Sequence, residues 1–485
     1  MENESSLYSL LFWCFALLFL RMYIKEKVKK MQKENINKVE KTTEIFRDAP
    51  IPKAVFLNII PSMVSMLMVM IYNMADTFFI GQTKNPYMVA AVSLATPAFM
   101  ICMAVGIIFG VGGTSYISRM LGEGKAEKAK NASAFCFWTG MGVGVVAMIF
   151  VWIFINPICT LIGASADTME YTKQYILIAS LCIPFVIVGN SFSNIIRSEG
   201  KANIAMAGMV LGNIINIVLD PIMILGFDWE VIGAAVATVI GNVAAFVFYL
   251  FHLLSKKTIL SIRPRDYKAG GNIAGGILAI GIPASINNML MSTSNIVINN
   301  LLKDHDDMAV AGLGVAFKVN MLVVMLLIGV GTGIQPLLGY CFGAGNRKRF
   351  MGVLKFSICL ALCMSAVLTL ICYFGAAPMV SAFLENDEAF GFAFSFARTL
   401  IISGPILGLL FVFINTIQAM GSAIPTLILS ISRQGIIYLP ILFTFHHFFN
   451  TPRMLVMAQP VADYLATTLA IVLFVITFKR IKILK

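Results

Sequence analysis

Read for hydrophobic and polar positions, the chain is a succession of long apolar runs separated by short polar ones. An apolar run of about 18 residues or more crosses a hydrocarbon core roughly 30 Å thick as a helix. Twelve such runs follow residue 50: 53–80, 87–117, 132–155, 169–195, 203–226, 231–254, 273–302, 308–340, 352–376, 390–418, 424–446 and 455–479. The segments between them alternate in charge. On one side lie residues 21–53 with ten Lys/Arg, then Arg119/Lys125/Lys128/Lys130, Arg197/Lys201, Lys256/Lys257/Arg263/Arg265/Lys268, Arg347/Lys348/Arg349 and Lys479/Arg480/Lys482/Lys485. The other side has few cations (Lys84, Lys303, Arg453) and acidic turns at Asp228/Glu230, Asp304/Asp306/Asp307 and Glu385/Asp387/Glu388. Cytoplasmic loops carry the excess of Lys and Arg, so both ends of the twelve-helix unit are expected in the cytoplasm. The expected fold is an all-α integral membrane protein, multi-pass in the plasma (inner) membrane.

Composition agrees with that pattern. The chain has 485 residues, 59% of them hydrophobic and 12% charged, and its mean hydropathy is +0.86. Soluble domains carry about 25% charged residues, so a water-soluble enzyme or DNA-binding protein is excluded. The net charge of +12 first suggests nucleic acid, but the cations sit in the loops of a membrane protein. Nine cysteines lie scattered without a CxxC pair and read as small core residues. Four histidines make no HExxH or HxxxH arrangement, so no metal-ligand motif is read from them. A further apolar run at 7–20 is short for a span. It follows Glu2 and Glu4 rather than a basic start, and it reads as part of a nonessential extension.

The two halves repeat at a nearly constant offset. Pro61 matches Pro283 at 222, while Gly122 and Gly124 match Gly343 and Gly345 at 221. Pro184/Pro405, Asn194/Asn415 and Gly200/Gly421 keep the 221 offset. Six helices per half is an even number, so both halves enter from the same side and form a parallel repeat. The expected organisation is a basic extension at 1–50, a first lobe at 51–254, a linker at 255–272 and a second lobe at 273–485. Two six-helix bundles leave a cleft between them, as alternating access requires.

Acids inside spans carry the chemistry, because a charge at the bilayer centre costs about 2.5–3.5 kcal/mol. Asp76 in the first helix and Asp220 in the fifth stand out, with Tyr72 and Asn216 each one turn earlier on the same face. Thr238 offers a hydroxyl in the sixth helix, where Gly233-Ala234-Ala235 permits close approach. Two nearby carboxylates in a low dielectric take up a proton or a small cation. The competing reading places both acids near outer helix ends, simply wet. The repeat argues for function, since Asp76, Asn216 and Asp220 fall on Ile298, Ile437 and Ile441. In the second lobe Lys318 and Arg433 are read as buried cations without an acid in the same lobe's spans, either bonding carbonyls and the amides of Gln335 and Gln434 or lining the cleft. Methionines cluster in helix 1 (Met63, Met66, Met70) and helix 7 (Met289, Met291), as suits an adaptable apolar cavity.

The segments IPSMVSMLMVMIYNMADTFFIG (60–81), RMLGEGK (119–125), NIINIVLDPIMI (213–224), GAAVAT (233–238) and GTGIQPLLGYCFGAGN (331–346) resemble the multidrug and toxic compound extrusion (MATE) family, in its MepA-like branch. The resemblance covers about residues 50–480 and implies two six-helix bundles around a V-shaped cleft. It further implies export of toxic organic, mainly cationic, drugs by antiport with H+ or Na+. Carried over by motif, the coupling site comprises Asp76, Asn216, Asp220 and Thr238 with the Ala234 carbonyl, and Na+ would bind at those four side chains. Tyr72 joins its hydrogen-bond network, Pro61 is the helix 1 kink, and Asn190 is a polar cleft position. Met291-Ser292 stands where some relatives have an acid, and Cys341-Phe342 replaces a common Asn-Tyr. No cofactor beyond the coupling ion is expected; the partners are small molecules and the bilayer, not nucleic acid, and the chain is expected to act as a monomer. Two rivals are carried: a lipid-linked precursor flippase of the same superfamily, kept open by Lys318 and Arg433, and an intramembrane aspartyl protease. The protease would need GxGD, whereas the contexts here are NMAD and IVLD. The protein is therefore not read as an enzyme.

Overall fold

The computed structural model describes residues 44–82, 86–165, 168–227, 229–255, 257–384 and 386–480. The 7–20 run, Lys84, Asp228, Lys256, Glu385, Lys482 and Lys485 lie outside them. Among the described residues ten helices are long and apolar enough to cross a membrane, and two sharply bent pairs bring the number to twelve. The first six are α1 Ile51–Gly81, α2 Pro86–Gly122, α3 Ala126–Ile153, the bent α4 (Met169–Ser180 with Ile183–Glu199), α5 Ala202–Ile224 and α6 Val231–Leu254. The second six are α7 Ile273–Lys303, α8 Asp307–Gly343, α9 Arg347–Phe374, the bent α10 (Asp387–Ile401 with Gly404–Ala419), α11 Ala423–Phe448 and α12 Pro452–Arg480.

Two differences from the hydropathy reading have local causes. α3 and α9 begin five or six residues earlier than the apolar runs, in polar first turns. Asn346 caps α9 by accepting from the Arg349 amide at 2.9 Å, a start signal that hydropathy does not register. Secondly, α4 bends by 54° and α10 by 51°. Pro184 and Pro405 sit in the first turn of each second half, where a missing N–H costs nothing and a new helix begins. The repeat recurs in the backbone as well. Gly200 (φ 74°) and Gly421 (φ 72°) close α4 and α10 in left-handed turns that a side chain would strain.

The lobes meet on the side that carries the basic loops. α2 packs on α7 and α8, and α1 packs on α8. A methyl group on Gly122 would lie 2.2 Å from the Tyr340 carbonyl oxygen, and one on Gly343 would lie 2.1 Å from the Arg119 carbonyl oxygen. These two contacts are each other's repeat image, so the pseudo-twofold axis passes between α2 and α8. Gly112 meets the Ile277 carbonyl and Gly281 the Ile108 carbonyl in the same close manner. Backbone thus lies directly against backbone across the seal, and the Ser115 hydroxyl donates to the Gln418 carbonyl beside it.

Two further clasps lie on this basic side. Glu199, fully buried, accepts from both Thr258 Oγ1 (2.8 Å) and the Leu260 amide (3.1 Å), and pairs with Lys201 at 3.0 Å. The start of the 255–272 linker is therefore fastened to the first lobe. The other clasp joins residues 44–49 to the second lobe. Arg349 donates to the carbonyls of Phe46 and Ala49, and the buried Phe46 ring packs 5.6 Å from Tyr340. The end of the stretch read as a dispensable extension is packed structure.

Candidate functional site

In the first lobe the site is built by three helices. Along α5, Gly212, Asn216 and Asp220 recur every four residues and share one face. Gly212 and Gly241 let α6 come close: a methyl on Gly241 would lie 2.7 Å from the Gly212 carbonyl and 2.9 Å from Asn216 Cβ. That approach brings Thr238 onto Asn216, with the amide nitrogen 3.5 Å from Thr238 Oγ1. Turned so that each end meets its complement, the same amide donates to Asp220 Oδ2 at 3.1 Å and accepts from the Thr238 amide at 3.1 Å. Asp220 is 0% exposed, Asn216 3% and Thr238 4%, with Ala234 buried beneath them. The wet-end reading fails for Asp220.

Asp76 reaches the cluster from α1, which packs along α5, and is half-buried within electrostatic reach of Asp220. One oxygen of each carboxylate, Asp76 Oδ1 and Asp220 Oδ1, is buried without a donor. Tyr72 stands one turn earlier with its hydroxyl near that of Thr238. Tyr175 from the first half of α4 also lies within reach of Asp76 and Tyr72; no motif or spacing marked it in the sequence. The result is a set of oxygen donors with anionic character and no Lys, Arg or His partner among the described residues. Such a set suits a proton or a hard monovalent cation; no cluster of three or more His, Cys, Asp or Glu occurs among the described residues.

The second lobe is different, and here the sequence reading needs correction. Arg433 is not alone: its Nε lies 3.2 Å from Asp463 Oδ1 of α12, both side chains being under a tenth exposed. Ser403 donates to Asp463 Oδ2 at 3.0 Å and Gln459 donates to Oδ1 at 3.2 Å. The guanidinium also lies over the Phe411 ring at 5.2 Å. An acid inside the span, overlooked in VADYLATT, compensates the cation. Lys318 is exposed rather than buried, with its ammonium 5.2 Å from the Phe383 ring. Asp463 falls on Asn242 and Arg433 on Gly212 at the 221 offset, so the first lobe has no charge at either place.

The remaining sequence candidates are dispersed. Pro61 is buried within a continuous α1, fifteen residues or about 22 Å to the basic side of Asp76. Met63 is half-buried and its backbone packs closely on α8, where a methyl on Gly329 would lie 2.7 Å from its Cα. Met66 and Met70 are half-buried and Met291 is 40% exposed. Asn190 faces α2, its amide 3.5 Å from the Met103 carbonyl.

A family model described as MatE matches residues 61–222 and again 283–444, one match per lobe. This chain belongs to the MATE family. It is a multi-pass membrane transporter and not an enzyme. It is 32% identical over 410 residues to the multidrug export protein MepA of Staphylococcus aureus (strain NCTC 8325 / PS 47), covering 84% of this chain and 89% of that protein. MepA of Staphylococcus haemolyticus is 31% identical over 429 residues, 87% and 93% of the two chains. A crystal structure of MATE in complex with MaL6 superposes with a TM-score of 0.86 at 27% identity, covering 92% and 99% of the two chains. MATE in the bent conformation superposes with a TM-score of 0.83 at 27% identity, over 92% and 98%.

Proposed function

We propose that this MATE protein exports organic, chiefly cationic, compounds from the cytoplasm by antiport with H+ or Na+, moving between cleft states by alternating access. The observation that carries the reading is the pairing of half-buried Asp76 with fully buried Asp220 in the first lobe, with a donor-free oxygen on each carboxylate and no basic partner among the described residues. A proton or Na+ held there offsets the repulsion between the two acids, and Asn216 and Thr238 hold Asp220 in place. With the cation gone the pair is anionic and favours an arriving organic cation. One charge crossing the membrane is worth about 2.3 kcal/mol per 100 mV, enough to sustain roughly a 50-fold gradient. The charge asymmetry of the loops supports placing the basic side, and so the seal, at the cytoplasmic face of the plasma membrane, and the single chain is taken as the working unit. The names of the MepA relatives support multidrug substrates.

A precursor flippase would need a basic lining for its pyrophosphate. Arg433 is already neutralised by Asp463, so that reading loses its strongest support. The test of the proposal is drug efflux from vesicles under imposed gradients. A fluorescent cationic drug should leave against its own gradient when inward H+ or Na+ is supplied and equilibrate when both gradients are collapsed; active efflux without either gradient would refute antiport.

In this cycle the seal between α2 and α8 opens. Valine at Gly343 places branched carbons where the Arg119 carbonyl lies. Overpacking of this kind costs about 1–3 kcal/mol, roughly a five- to 150-fold shift away from the sealed state. Gly343→Val should therefore raise maleimide labelling of a Ser118→Cys reporter, a fully buried seal position that packs against Gly339, about fivefold or more when quantified residue by residue. Unchanged labelling would show that the seal yields without parting.

A further inference from the structure

Away from the aspartates, a groove of about 640 Å³ runs along the outside of α3 and is closed at one end by the inter-lobe linker. Trp138, Gly142, Val143 and Val146 form its wall, and Pro264 and Tyr267 of the linker form its end. The wall is open: Val146 is 68% exposed, Trp138 42%, and a methyl group on Gly142 would meet nothing within 4 Å. Its depth in the bilayer follows from α3, whose 28 residues rise about 42 Å against a hydrocarbon core of about 30 Å. The polar first turns with Lys128 and Lys130 occupy the headgroup layer, which puts Trp138 just inside the interface and Val146 among acyl chains.

The linker supplies the opposite character. Trp138 Nε1 donates to the Ile262 carbonyl at 3.0 Å and the Tyr267 ring packs 6.0 Å from Phe135, which holds residues 262–267 against α3. Arg263 and Arg265 flank Pro264 at the groove's end, both exposed. The neighbouring acids are engaged elsewhere: Asp266 accepts from Ser261, and Glu127 faces Lys268 at 3.7 Å. Neither arginine has an acidic partner among the described residues. An apolar trough at acyl-chain depth thus ends at the segment that carries Arg263 and Arg265 at headgroup depth, neither with an acidic partner among the described residues, and an aromatic pair stands at the boundary.

We propose that this groove binds an anionic phospholipid, with one acyl chain along Gly142, Val143 and Val146 and its phosphate on Arg263 and Arg265. A bound lipid braces the linker against α3 and so favours the arrangement of the lobes that this linker path allows. Guanidinium recognises phosphate bidentately, and each basic group at the surface strengthens the attraction to anionic lipid.

The test uses the full chain purified in detergent, with dioleoyl phosphatidylglycerol and dioleoyl phosphatidylcholine as probes and native mass spectrometry as the readout. The first phosphatidylglycerol should be held about tenfold or more tightly than phosphatidylcholine. Arg263→Gln/Arg265→Gln should weaken that first lipid by about 30-fold and should weaken phosphatidylcholine, whose phosphate is offset by its own choline, by less. Gly142→Leu fills the groove without touching protein and should weaken retention of both lipids. Equal retention of the two lipids by the unaltered chain, or phosphatidylglycerol retention unchanged in both variants, would overturn the proposal. A chain dimer that Gly142→Leu disperses would overturn it as well, by assigning the groove to a second copy.

Discussion

Asp220→Asn should abolish gradient-driven efflux while the protein still reaches the membrane in normal amount, and Asp76→Asn should do the same. The loss should be about 50-fold or more, the concentration ratio that one coupled charge sustains at 100 mV. Folding is expected to survive because the fold tolerates isoleucine at the repeat-related positions, Ile441 and Ile298. Asn keeps the shape of Asp220 and its contact with Asn216, and removes only the charge that a cation would neutralise. The effect should therefore appear in transport and not in the melting midpoint of the purified protein. Normal efflux in either variant would remove that carboxylate from the coupling site. A variant that fails to accumulate would instead assign the pair a structural role.

The opposite behaviour is expected of the second lobe. Asp463→Leu leaves Arg433 buried beside Ser403 and Gln459 with no counter-charge. Breaking a buried pair from one side costs about 3–5 kcal/mol, so this variant should melt well below the unaltered protein or fail to accumulate. Replacing both partners, Arg433→Met with Asp463→Leu, removes the desolvation problem together with the attraction. Stability should return to near that of the unaltered protein. Because the pair is internally neutral, the double variant should keep gradient-driven efflux. A stable double variant that no longer exports would extend the coupling machinery into the second lobe.

These two sites mark how far the sequence was legible. The spans, the lobes and the parallel repeat could be read because a bilayer demands long apolar runs and because glycine and proline recur where the backbone needs them. Gly200 and Gly421 adopt the same left-handed turn, and Pro184 and Pro405 restart the same two bent spans. The bends themselves were not legible, since hydropathy averages across a break. Asn216 and Asp220 could be read as partners from their four-residue spacing, and the glycines of α5 and α6 explain why Thr238 meets them. Contacts between distant segments were beyond that kind of reading. Tyr175 comes to the aspartates only through the packing of α4, and Asp463 meets Arg433 only because α11 and α12 lie side by side. Helical spacing places neighbours within one helix and says nothing about the facing one.

The most direct measurement is binding of a fluorescent cationic drug to the purified protein across pH and Na+ concentration, in the unaltered chain and in Asp76→Asn/Asp220→Asn. If the pair exchanges a coupling cation for the drug, lowering the pH or raising Na+ neutralises it and weakens drug binding, since linkage between two sites is reciprocal. The double variant, already neutral at both positions, should bind the drug equally under all those conditions. Full sensitivity to pH and Na+ retained in the double variant would contradict the account and place the coupling site outside Asp76 and Asp220.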